Sequence, residues 1–167
     1  AHSALHESVA RDLGRRGGWV LAPEVSFSMY GERGAIDILA WHPARRALLV
    51  IELKTVLVDV QEVVATLDRK RRLAPRIAAE RGWEAETVSP WLVLVDRSTN
   101  RHRVAAHRAT LRAALPADGR VMRGWLRRPT GPIAALSLWP NSSGSNAGAR
   151  VAGVQRATRA RGGRDRA

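Results

Sequence analysis

The sequence predicts an α/β domain, a mixed central sheet flanked by helices in the order α-β-β-β-α-β-α-β. Three observations predict it. Short apolar runs of strand length, such as Ala47 to Ile51 and Trp91 to Val95, alternate with segments whose apolar residues recur at helical spacing. Clusters of Gly, Pro and charged residues separate them. The chain of 167 residues suits one domain with a real core, the usual domain range being about 100 to 200 residues.

The elements follow in order. Ser3 to Leu13 reads as a helix with Ser3 as its cap and Leu5, Val9 and Leu13 on one stripe; Gly14, Gly17 and Gly18 end it. Val25 to Met29 alternates as a strand, Tyr30 to Gly34 supplies a turn, and Ala35 to Trp41 resumes as a strand, which makes a hairpin. His42 to Arg46 turns the chain into the apolar strand Ala47 to Lys54, completing a three-strand meander. Val60, Val63, Val64, Leu67, Leu73 and Ile77 then give helical spacing to about Arg81, with Pro75 expected to kink or split the helix. Trp91 to Val95 is a short buried strand. Ser98 or Thr99 is expected to cap a helix running to Leu115, and Ile133 to Trp139 reads as a last strand after a Gly/Pro-rich connection. Residues 1–140 therefore form the domain. From Asn141 the composition turns to Asn, Ser, Gly, Ala and Arg, and 141–167 is expected to be a disordered basic tail.

Composition narrows the function. With no cysteine, disulfides and thiolate metal sites are excluded, and a reducing, cytoplasmic compartment is expected. The apolar runs fall far short of the ~20 residues a membrane helix needs, so a soluble protein is expected, and no export signal is visible. The chain opens with Ala1 rather than methionine, so a fragment or a processed form is expected. Lys plus Arg number 28 against 15 Asp plus Glu, giving a net charge of +13, which favours a polyanionic partner. The tail carries +5 of this, so residues 1–140 keep +8. Arg greatly outnumbers Lys, so a coding bias is the bland alternative, and a nucleic-acid partner ranks narrowly ahead of it.

The most informative feature is Glu52-Leu53-Lys54, closing the apolar strand fifteen residues after Asp37. Side chains alternate along a strand, so Glu52 and Lys54 share one face and Leu53 points to the other. Burying such a pair costs several kcal/mol (~3 or more) unless a partner or an ion compensates. Hydrolysis of a phosphodiester needs a divalent ion, and hard ions such as Mg2+ take oxygen ligands. Asp37 and Glu52 offer two carboxylates, and the Leu53 backbone carbonyl a third oxygen. Lys54 would then orient or deprotonate the attacking water, or neutralise charge on the phosphate; the sequence leaves these roles open.

Through Gly34-x-x-Asp37 and Glu52-x-Lys54 on consecutive strands, residues 3–96 resemble the PD-(D/E)XK nucleases of restriction-endonuclease-like fold, nearest in flavour to the archaeal Holliday-junction resolvases. Ile36 stands where the motif name has proline. The resemblance implies a Mg2+- or Mn2+-dependent DNA endonuclease with Asp37, Glu52 and Lys54 as catalytic residues. It also implies a helix-borne metal ligand, for which Glu7 is the candidate, and a site-facing glutamine, for which Gln61 is. An exposed glutamate and an ordinary polar residue in a first helical turn are the competing readings of those two. Junction-cleaving members commonly act as dimers, so a homodimer is an expectation. The chain also resembles the C-terminal portion of actinobacterial regulators that begin with a helix-turn-helix domain, which would lie ahead of Ala1.

Arg69, Lys70, Arg71 and Arg72 form a dense basic run in the helix after the site, suited either to the DNA backbone or to a solvated face. The five histidines are read as structural, most of the six tryptophans as core, and Glu24 and Glu32 as surface charges. Three functions compete: a metal-dependent endonuclease, a nuclease-like module that binds DNA without cutting it, and a scaffold whose basic surface is incidental.

Overall fold

The computed structural model describes residues 2–141; the basic tail at 142–167 lies outside the described residues. Five strands form one mixed sheet whose spatial order is the chain order, β1 (Val20–Met29), β2 (Glu32–His42), β3 (Ala47–Lys54), β4 (Thr87–Val95) and β5 (Ala135–Trp139). The first three run antiparallel, as the meander requires. The pairs β3–β4 and β4–β5 are parallel, so each needs a helical crossover. Helix α2 (Val60–Ala79) makes the first, and α3 (Ser98–Ala106), α4 (Arg108–Ala114) and α5 (Gly119–Arg127) make the second. Helix α1 (His2–Arg16) precedes the sheet.

The sheet divides the core in two. On one face Leu48, Val50, Leu92 and Leu94 meet Val63, Leu67 and Leu73 of α2. On the other, Leu49, Ile51, Leu53 and Val93 meet Leu5, Val9 and Leu13 of α1 and Met122 and Leu126 of α5. With both faces covered, β3 reads as a continuous apolar run rather than an alternating one.

Several elements depart from their expected form. Ser3 lies inside α1, not at its cap, because the helix already runs from His2. The hairpin turn contracts to Tyr30-Gly31, both at positive φ (52° and 79°), the geometry of a two-residue loop whose twist matches the strands it joins. Helix α2 passes through Pro75 without splitting: Pro75 is exposed, so the Arg71 carbonyl it leaves unpaired within the helix lies towards water. Strand β4 starts at Thr87, ahead of Pro90, which a central strand would not tolerate. Its pairing with β5 begins only at Trp91, so Pro90 borders an unpaired edge. Neither Ser98 nor Thr99 caps a long helix. Arg97 occupies the cap position, and His107 (φ −112°, ψ 25°) breaks the expected helix into α3 and α4. Helix α5 was hidden within the Gly/Pro-rich connection; the Asp118 carboxylate accepts the Val121 N–H at 3.0 Å and starts it. Among the described residues no helix is long and apolar enough to cross a membrane.

Candidate functional site

Strands β2 and β3 share a ladder only from His42↔Ala47 to Ile38↔Ile51. Beyond it β2 continues beside β1 and β3 beside β4, so a fork opens between them. Continuing the register by one residue sets Asp37 across from Glu52 at the root of that fork. Leu53 is buried on the α1 side, so Glu52 and Lys54 project from the α2 side, as alternation demands. The Asp37 carboxylate takes over from the lost ladder: its Oδ2 accepts the Leu53 N–H at 2.8 Å. A strand residue points its N–H and C=O to the same side, so the Leu53 carbonyl faces the same gap.

Glu52 is 4% exposed. Its Oε2 accepts a hydrogen bond from the Lys70 ammonium at 2.7 Å, and its Oε1 lies 3.8 Å from Lys54 Nζ. Burial pushes the Glu52 carboxyl above its ordinary value; the Lys70 hydrogen bond pulls against this, and the Asp37 charge adds to it. Lys70 is as buried as its partner, whereas 41% of the Lys54 side chain is exposed and reaches the opening. These are the only two lysines among the chain's 28 basic residues. Both meet one carboxylate.

The basic run therefore does not form one face. Lys70 turns inward to Glu52, a correction to its expected place against a DNA backbone. Arg69 lines the same cleft of about 380 Å3 as Glu52, Lys54 and Lys70, and its Nε is buried without a hydrogen-bond partner. Arg71 pairs with Asp68, one turn back on α2, at 2.8 Å, and Arg72 reaches Glu32 of β2 at 3.4 Å. Gln61 is exposed and does not line the cleft. Glu7 is exposed too, and α1 brings two histidines to Asp37 in its place. His6 Nε2 donates to the Asp37 carbonyl at 3.1 Å, which places its proton on that nitrogen, and His2 Nε2 lies 3.8 Å from Asp37 Oδ1. Read as structural from the sequence, these two carried an overlooked signal: a spacing of four at the start of a helix puts them on one face.

The segment after Lys54 is also held. Asn100, fully buried on α3, accepts the Leu57 N–H at 2.9 Å and donates to the Thr55 and Val95 carbonyls at 3.0 and 2.8 Å. Arg103 donates to the Leu57 carbonyl. Sequence gave no sign of this clamp, since a buried asparagine in an otherwise exposed helix has no periodic signature. Four tryptophans (19, 41, 91 and 125) are core, and Trp83 stacks at 6.1 Å on Trp41.

The donor set can be tested against a hard divalent ion. Among the described residues no group of three or more His, Cys, Asp or Glu converges. Two carboxylates and one carbonyl, all oxygen, remain at the fork, which suits the way Mg2+ is held by one or two carboxylates plus water and substrate phosphate. Compared with known protein families, curated proteins and solved structures, the chain shows no match to any of them.

Proposed function

We propose that the fork is a divalent-metal-dependent site for hydrolysing phosphodiester bonds in DNA, on a sheet of restriction-endonuclease-like type. The observation that carries the reading is the opposition of Asp37 and Glu52 where β2 and β3 part, with Lys54 on the same face at the opening. Asp37, Glu52 and the Leu53 carbonyl would hold Mg2+ or Mn2+. When bound, such an ion polarises phosphoryl oxygens and acidifies a water. Lys54, the exposed ammonium, balances charge on the phosphate or orients the water. The buried, unpartnered Arg69 Nε supplies a further donor for a phosphate oxygen in the cleft. Kinship with PD-(D/E)XK nucleases, a resolvase-like homodimer and a cytoplasmic location belong to this proposal. The test is plasmid nicking by the purified chain with Mg2+. Asp37→Ala, Glu52→Ala and Lys54→Ala should each lower the rate by at least about a hundredfold, and activity that survives Asp37→Ala or Lys54→Ala removes the assignment.

A second reading, a nuclease-like module that binds DNA without cutting, rests on one observation: both Glu52 oxygens already face ammonium groups, so Asp37, Glu52, Lys54 and Lys70 sum to zero charge. In that case the same preparation binds DNA and leaves the plasmid intact. A helix-turn-helix domain encoded ahead of Ala1 would favour it further.

A further inference from the structure

We propose that Lys70 is a built-in competitor of the metal ion, an ammonium that lowers the affinity of the fork for divalent cations; this rests on the metal-site reading above. Its side chain arrives from α2, not from the strand carrying Glu52-Leu53-Lys54, and it is buried with its Nζ 2.7 Å from Glu52 Oε2. That oxygen would otherwise be free to face a cation.

The choice of residue supports the assignment. In a chain with 26 arginines, only positions 54 and 70 are lysine, so basic composition does not account for Lys70. A guanidinium there would grip both carboxylate oxygens in a bidentate fork. An ammonium is a compact point charge, and here it takes one oxygen and leaves Oε1 towards Lys54. Removing its charge would change the four-residue site from neutral to a net −1. For a divalent ion a few ångströms away, that change in the partly buried fork is worth at least about tenfold in affinity.

The experiment is calorimetric titration of Mn2+ alone into the full chain, without DNA, for the wild type, Lys70→Gln and Lys70→Arg, with circular dichroism confirming the fold of each. Lys70→Gln keeps a hydrogen-bond donor and loses the charge; it should bind Mn2+ at least about tenfold more tightly than the wild type. Lys70→Arg keeps the charge and should bind no more tightly; tighter binding by Lys70→Gln without tighter binding by Lys70→Arg is a contrast a merely structural role for Lys70 does not produce. Wild-type binding that Lys70→Gln leaves equal or weakens overturns the competitor role while the metal site stands. Absence of Mn2+ binding in both wild type and Lys70→Gln overturns the metal site, and the competitor role with it. Should Lys70→Gln fail to fold, Lys70→Met takes its place, and tighter binding by Lys70→Arg overturns the proposal by itself.

Discussion

At the scale of single residues, buried polar groups organise the molecule. Asn100 makes three hydrogen bonds to backbone groups of Leu57, Thr55 and Val95, so Asn100→Ala leaves a buried N–H and two carbonyls without partners. The loss should be about 3 kcal/mol or more, read from guanidinium unfolding, and near-neutral stability would show that water replaces the amide. Glycine has a packing role at Gly34: a Cβ there would come within 2.9 Å of the Phe27 ring, which lies across the strand from it. The sequence made Asp37, Glu52 and Lys54 legible because alternation along a strand is a strict rule and their spacing is local. Lys70 was legible only as one of four consecutive basic residues. Which of the four turns inward depends on the rotation of α2 over the sheet, set by packing of Val63, Leu67 and Leu73.

At the scale of elements, β3 was readable to its ends, whereas β4 and α5 were hidden by residues that ordinarily break structure. Pro90 truncated the expected strand, yet it sits where β4 lacks a neighbour on one side. Gly119 and Gly124 disguised α5, yet Met122, Trp125 and Leu126 bury one stripe of it and Asp118 caps it. Hydrogen bonding from the Val121 N–H holds the Asp118 carboxyl below its ordinary value. The folded state thus favours the ionised form, so the contribution of this cap is present above the ordinary aspartate value and is lost as pH falls through the lowered one. Melting temperatures of wild type and Asp118→Asn should therefore converge as the solution is acidified through that range; a constant gap would separate the cap from ionisation. Pro75 interrupts the hydrogen-bond ladder of α2 on its exposed side, and Pro75→Ala should stabilise the chain by about 2 kcal/mol in chemical denaturation. Destabilisation would show that proline is favoured there through the unfolded chain.

At the scale of the whole molecule, charge and topology set what the fold can do. A net charge of +13 over 167 residues predicts DNA binding whose affinity falls steeply with salt, with a log–log slope of about −0.9 for each phosphate neutralised. Fluorescence anisotropy with a labelled duplex at graded NaCl measures it, and an absence of binding at low salt would leave the basic surface without a polyanionic partner. Strand order follows chain order across the sheet, so neighbours in space are neighbours in time during synthesis. Every group at the fork, from His2 to Lys70, leaves the ribosome ahead of Asn100, which ties down the segment behind Lys54 and follows Lys70 by 30 residues. A growing chain therefore acquires the charges of the site before it acquires the clamp of Asn100 and Arg103 that fixes the segment behind them.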